Sequence, residues 1–574
     1  MGALLRALSN LLRLALLPLW FTARLLARPR SPWLELRLST RVQDLQARVP
    51  LWQRLMPQFA PKQQATSLEE LREAVRVLVT DSRIVGLLLH MPGLEAGWAA
   101  CASLRDIVLS VRAAGKQVVC YLPEGGGSRE LYVALAADRV VLAPPASVAP
   151  LGLAAQPFYV KGLLDRVGVE VQVQATGEYK SAAEPALRES MSEASREQSS
   201  ALLAAMHDAL VSALHARPGM DAARIEAVLA RGLMTAGNAR DLGLIDDVAY
   251  EDELLGKLSP GLPPHRPPMP LSRYLRWNRA ALWHPVRDEP YIAVVPVRGT
   301  IVGTGFRLGP AAAELSNIVG SLRAAARDPR ARAVVLYVNS PGGSAHASDL
   351  IHREVQQLAA RKPVVAYLGD VAASGGYYVA VACRRIVAQP VTITGSIGVI
   401  SIKVAIEGLL ARLGIRSDVL QTAPHVDMFS LARKFTGDEE RMMQAHAAEL
   451  YARFLEVVAQ GRGKTAEDIH KLARGRVWSG RDALAHELVD VLGGFDSALD
   501  EARGLLTDMP PGDRAKLRAR AVVPRHSATP APPLETAAVL LALERFLPDG
   551  LVLASSLLRQ EPNLYYAASV SWQV

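Results

Sequence analysis

Cysteine is scarce in this chain. Three in 574 residues, Cys101, Cys120 and Cys383, exclude a disulfide framework or a cysteine-rich zinc module, and buried packing roles are expected for them. Charge is sparse as well: 21% of residues are charged and half are apolar, which excludes disorder as the main state. The net charge of +9 is unevenly placed, because residues 1–48 hold eight arginines against Glu35 and Asp44, leaving +3 for everything after them. That remainder is too small for a surface that tracks phosphates, so no nucleic-acid partner is expected. Walker loops, dinucleotide fingerprints and clusters of metal-ligating residues are missing, so neither a cofactor nor a metal is expected. The length exceeds that of a usual single domain, which calls for several cores or one core duplicated.

Long apolar runs are lacking too. The first thirty residues contain eleven leucines between Leu4 and Leu26, yet the longest charge-free stretch, Leu14 to Ala23, has ten residues, where a bilayer needs about 20. On a helix, Arg6, Arg13, Arg24 and Arg28 fall within a stripe of about 60° opposite a wide leucine face. Residues 1–30 therefore read as an amphipathic segment lying in a membrane interface, with a bent spanning helix as the rival. At the other end, the apolar stretches Ala537–Leu547 and Leu551–Leu558 are parted by Pro548, Asp549 and Gly550, and residues 509–574 read as a tail without chemistry.

What is present in quantity is repetition. At an offset of 246, Tyr121-Leu122 matches Tyr367-Leu368, Ala134 matches Ala380, Arg139 matches Arg385, Gly152 matches Gly398, Gly168 matches Gly414 and Thr176 matches Thr422. Further on, Met234-Thr235 mirrors Trp478-Ser479 at an offset of 244. Each copy alternates short aliphatic runs with helical periodicity, the pattern of an α/β fold with a mainly parallel sheet. Strands are expected at Trp33–Leu38, Ile84–Leu89, Gln117–Leu122 and Arg139–Leu142, and again at Tyr291–Val297, Ala333–Val338, Pro363–Leu368 and Arg385–Ala388. Helices are expected at Ala311–Arg327, opened by Pro310, and at Ser348–Ala360. The first repeat is bounded at 31–255 and the second at 289–508. Between them lies a linker, 256–288, in which six prolines fall between Pro260 and Pro270.

Duplicated halves can specialise, so matched positions that differ are the informative ones. After its second strand the later copy has Asn339-Ser340-Pro341-Gly342-Gly343, where the earlier copy has His90-Met91-Pro92-Gly93. A glycine pair there lets backbone amides face a cleft, as an oxyanion hole requires, although a plain glycine turn would look the same. The later copy also has Ala372-Ala373-Ser374-Gly375-Gly376-Tyr377-Tyr378, a serine with little steric cover opening a helix after a loop. Its counterpart Ser128 is followed by Arg129 and Glu130, which would crowd an incoming carbonyl. Ser374 is the candidate nucleophile and Ser128 a relic.

A serine needs a base. No histidine lies between Gln389 and Ile402, and His346 and His352 read as surface or packing residues. Lysine serves if burial depresses its pKa. The earlier copy carries Glu178-Tyr179-Lys180-Ser181-Ala182-Ala183-Glu184-Pro185, and the offset places Val426 opposite Lys180. The half with the open serine lacks the lysine and the half with the lysine has the crowded serine, so one composite site drawn from both halves is expected.

With NSPGG at 339–343, AASGGYY at 372–378, TGSIG at 394–398 and EYKSAAEP at 178–185, the chain resembles the long, tandem-repeat form of the bacterial signal peptide peptidase (protease IV) family over about residues 31–505. The resemblance implies a Clp-protease/crotonase-like fold, a Ser/Lys dyad of Ser374 and Lys180, and cleavage of leftover signal peptides through an acyl-enzyme. It also implies a ring-like homo-oligomer, a tetramer, at the bacterial inner membrane with the catalytic domain on the periplasmic side. Backbone amides of Gly342, Gly343 and Gly375 are the oxyanion candidates, and Ser396 is the candidate for orienting the lysine. Glu178, two residues from Lys180, would favour a charged amine unless a local turn points it away. Apolar pockets near Tyr377, Tyr378 and Val399–Ile402 would suit hydrophobic peptides. The competing functions are a catalytically silent oligomeric membrane scaffold of the same fold and a crotonase-type acyl-CoA enzyme, which needs neither the serine nor the lysine.

Overall fold

The computed structural model describes residues 14–18, 22, 31–45, 66–150, 152–258, 267–281, 289–303 and 312–522. Most of the amphipathic segment, most of the proline-rich linker and the tail beyond 522 lie outside them. Among the described residues no helix is long and apolar enough to cross a membrane. The chain divides into two compact units, one of residues 1–153 with 206–289, the other of 154–205 with 290–574.

In the first unit, β1 (Trp33–Arg37), α1 (Leu68–Thr80), β2 (Gly86–His90), α2 (Trp98–Ala113), β3 (Gln117–Leu122), α3 (Ser128–Ala134) and β4 (Arg139–Leu142) alternate in chain order. The strands pair in parallel in the order β4-β3-β2-β1, with Asp247–Val248 beyond β4 and Met269–Pro270 beyond β1. Every residue of β2 is buried, as expected for a parallel strand covered on both faces. Beyond β3, Gly125–Gly127 pairs with Ser147–Ala149, which in turn pairs with Met234–Thr235.

The second unit repeats this plan. It opens with α4 (Lys161–Val167) and β5 (Glu170–Ala175), then runs through β6 (Tyr291–Arg298), α5 (Leu315–Arg327), β7 (Ala331–Ser340), α6 (Ala345–Ala359), β8 (Val364–Ala373), α7 (Gly375–Ala380), β9 (Arg385–Ala388), β10 (Ile393–Gly395), β11 (Ile400–Ala405), α8 (Glu407–Arg412) and α9 (Gly437–Arg462). β8 is long enough to serve two neighbours. Its first half pairs with β9 and its second half with β10, which brings Gly395 level with Ala373 and seats the next residues beside Ser374. Val294, Val334, Val335, Leu336, Val364 and Val365 are fully buried in the resulting sheet.

The expected strands form, with ends that differ by up to five residues. α5 starts at Leu315, after a short strand at Ala313–Glu314 that pairs with Ile301–Val302, so its start lies four residues past the expected Ala311. α6 starts three residues before Ser348 because the Ser344 hydroxyl caps it, accepting from the amide of Ala347 at 3.2 Å. Residues Arg518–Ala521, expected in the tail, add a parallel strand beside β6. Residues 154–205, first-repeat in sequence, belong to the second unit because β5 pairs with β11 over six residues.

Candidate active site

Ser374 stands where β8 ends and α7 begins, with no loop between them, and its backbone is unusual. At φ 53°, ψ −120° it occupies a region that non-glycine residues rarely adopt, a strain of roughly 1–3 kcal/mol that the surrounding structure must hold. Two hydrogen bonds hold it: Ser374 N donates to Gly395 O at 2.8 Å, and Tyr378 N donates to Ser374 O at 2.9 Å. The residue stays buried in this conformation.

Gly342 packs against this corner. Its φ is 108°, and a β-carbon there would lie 2.8 Å from both Gly375 N and Ser374 Cβ, so only glycine fits. The three amides expected to face the cleft are not equivalent. Gly342 N already donates to Ser340 Oγ at 3.2 Å. Gly343 N and Gly375 N donate to nothing among the described residues, and a β-carbon on Gly375 would sit 3.4 Å from Gly343 N, so the two amides are neighbours.

Lys180 comes to the serine on a tight turn after β5. Lys180 N donates to Gly177 O at 3.2 Å, Tyr179 N to Arg474 O at 3.0 Å, and Thr176 N to Val399 O at 2.9 Å. Gln198 braces the turn from a neighbouring helix: its Nε2 donates to Tyr179 O at 3.0 Å and Ser181 Oγ at 2.8 Å, while its Oε1 accepts from Val477 N at 3.2 Å. Nothing in the sequence motifs singled Gln198 out. Lys180 Nζ then lies 3.2 Å from Ser374 Oγ, 2.9 Å from Ser396 Oγ and 3.1 Å from Ser396 O.

Burial with no carboxylate beside it lowers the Lys180 pKa to about 7. Glu178 does not offset this, because the turn points it outward, where it pairs with Arg474 Nη1 at 2.7 Å and is half exposed. His346 is exposed. His352 is buried with its ring edge-on to Tyr378 at 5.4 Å, and burial pushes its pKa down to about 4, so it is a neutral packing residue.

A cavity of about 330 Å³ opens at Ser374. Tyr378, Val399 and Ile400 line it as expected, but its far wall is one face of α9, formed by Met443, Ala447, Leu450 and Phe454. Tyr377 points elsewhere, its hydroxyl donating to Leu488 O at 2.8 Å inside the core.

Ser128 has different surroundings. Its φ is not positive, and its hydroxyl donates to Gly152 O at 3.2 Å. The carboxylate of Glu130 accepts from Gly127 N at 2.9 Å and from Leu94 N at 2.8 Å, so the adjacent amides are already engaged.

A hydroxyl, a depressed amine and an apolar cleft on a duplicated α/β scaffold are the parts of a serine protease, and comparison with known proteins gives the same class. Residues 110–261 and 356–507 each match Peptidase family S49, at the separation of the internal repeat. The chain is 33% identical over 467 residues to Protease 4 of Salmonella typhi, covering 77% of this chain and 72% of that one. It is 32% identical over 457 residues to Protease 4 of Haemophilus influenzae, covering 75% and 72%. Against the chloroplastic serine protease SPPA of Arabidopsis thaliana it is 30% identical over 445 residues, covering 76% of this chain and 65% of that one, just under two thirds of the relative's length. This chain belongs to Peptidase family S49 and is a serine protease.

Proposed function

We propose that the protein is a membrane-associated endopeptidase in which Ser374 is the nucleophile and Lys180 the general base, and that it degrades hydrophobic peptides such as cleaved signal peptides. The observation that carries this reading is the 3.2 Å approach of a buried, carboxylate-free lysine amine to the hydroxyl of a serine held in a strained turn. Neutral Lys180 Nζ takes the hydroxyl proton as Ser374 Oγ bonds to the peptide carbonyl carbon. The oxyanion is received by the unengaged amides of Gly343 and Gly375, with Gly342 shaping the backbone rather than donating. The lysine proton passes to the leaving amine as the C–N bond breaks, which leaves an acyl-enzyme. Water then gives a proton to Lys180 and attacks the ester, releasing the carboxylic acid and restoring Ser374.

Substrate class follows from the cleft. Aliphatic and aromatic groups line a cavity that accepts one large apolar side chain, as the core of a signal peptide would supply. Attachment through residues 1–30, a place at the bacterial inner membrane facing the periplasm, and a tetrameric ring complete the proposal.

Two measurements test the site. A fluorophosphonate probe, which esterifies activated serine hydroxyls, is expected to label the tryptic peptide containing Ser374 and leave Ser128 unlabelled. Label on Ser128, or none on a folded protein, overturns the assignment. Ser396→Ala removes one acceptor from the lysine amine, a hydrogen bond of about 1–1.5 kcal/mol. It is expected to lower kcat roughly tenfold with little change in KM. An unchanged kcat would remove Ser396 from the site.

A further inference from the structure

The stretch that carries Lys180 has a twin. At the 246-residue offset α4 corresponds to α8, and the residues before them have nearly the same backbone, Val160 at φ −109°, ψ 6° and Ile406 at φ −110°, ψ 17°. Gly168 and Gly414 follow at φ 80° and 71°. The anchoring hydrogen bonds also correspond, since Val160 N donates to Pro185 O and Ile406 N to Leu431 O, both at 2.7 Å.

One feature is not repeated. β5 pairs antiparallel with β11 from Glu170 opposite Ala405 to Ala175 opposite Ile400. The counterpart of β5 is 416–421 and that of β11 is 154–159. Neither forms a strand, and neither has a strand partner among the described residues. Both lie at the surface, with Leu420 99% and Phe158 71% exposed. A donor segment and an acceptor segment for one ladder thus stand open on the same chain, beside a closed example of that ladder.

We propose that residues 416–421 of one copy add as an antiparallel strand to residues 154–159 of a second copy, in the register that β5 and β11 define. Leu420 then lies opposite Ala155, Val419 opposite Gln156, and Asp418 opposite Pro157, which removes one donor from the ladder, as edge strands tolerate. The two surfaces differ, so the contact is head-to-tail and repeats until a ring closes. The offset puts Val426 in the place of Lys180, so the exchanged segment brings no amine with it and the contact is structural. This inference gives the oligomer of the preceding section its contact, and its test does not pass through peptidase activity.

The test is disulfide trapping in the full-length protein. Cα atoms of directly opposed residues lie about 4.5–5.5 Å apart, within disulfide range, and the native cysteines are buried. The double variant Ala155→Cys, Leu420→Cys, oxidised with copper phenanthroline, is expected to give a ladder of covalent multimers whose top rung reads the ring size. Mixing the two single variants is expected to give dimers and nothing larger. Moving one cysteine by a residue, Gln156→Cys with Leu420→Cys, is expected to cut the yield about tenfold, because the side chains then leave opposite faces. The proposal fails if the double variant stays monomeric on oxidation, if it closes a disulfide within one chain, or if either single variant dimerises alone as readily.

Discussion

Ser374→Ala is expected to lower kcat for a fluorogenic hydrophobic peptide by roughly 10⁴-fold or more, the scale found when a serine nucleophile is removed from a working constellation. The side chain lost is small and its site is built by backbone. The amides of Gly343 and Gly375, the turn at Gly342 and the apolar cavity all survive the change, so KM should hold within about threefold while kcat collapses. Ser128→Ala is the internal control. That serine has an ordinary backbone and neighbours already engaged by Glu130, and its replacement should leave kcat within about twofold. Equal loss in both variants, or none in Ser374→Ala, would refute the assignment.

Lys180→Met should be nearly as damaging to turnover and should make the protein more stable. The amine is buried and its pKa stands at about 7, against an ordinary value of 10.5. At about 1.36 kcal/mol per unit, that depression corresponds to on the order of 4 kcal/mol of folding free energy given up at pH 7. Below pH 7 the lysine is protonated folded and unfolded, so stability does not change with pH on its account. Between pH 7 and 10.5 the unfolded chain binds the extra proton, so wild-type stability rises with pH across that window. Methionine has no proton to lose. Its advantage should therefore be greatest at pH 7 and below, about 3 kcal/mol after allowing for the donor that Ser396 loses, and should shrink toward pH 10. Denaturant melts of both proteins at pH 7 and pH 10 check this, and a variant less stable at pH 7 would contradict it. The same titration shapes the rate. With Lys180 as the proposed base, only its neutral amine accepts the serine proton, so wild-type kcat/KM should climb about tenfold per pH unit below 7 and level off above it.

Much of this was legible in the chain because duplication makes a sequence its own comparison. The offset of 246 separates Ser374 from Ser128 and Lys180 from Val426, and the strands fall where apolar runs stop at turn residues, as at Arg385–Ala388. What was not legible depends on contacts between distant segments. That Gly342 N is taken by Ser340 Oγ, while Gly343 N is left open, is a matter of side-chain rotation in a turn. The far wall of the cleft is a stripe on α9, and the 3.6-residue period of Met443, Ala447, Leu450 and Phe454 predicts a buried face without saying what it covers. Gln198 carries no motif, and its role comes from reaching three different segments at once. The placing of 154–205 with the second unit follows from a pairing of β5 with residues 225 to 235 positions later, which local pattern does not encode.

That pairing also sets a timetable for the ribosome. The segment bearing Lys180 emerges first and has no β11 to dock on until a further 225 residues have been added, which at about 5–20 residues per second takes roughly 10–45 s. For the first 194 residues after Lys180 the nascent chain carries the amine without the Ser374 hydroxyl. Its long-range closure is also the slow kind of folding step. With Ser374 and Lys180 as the proposed pair, proteolytic competence arrives only once β11 has been made, so that a chain stalled before it has no assembled site.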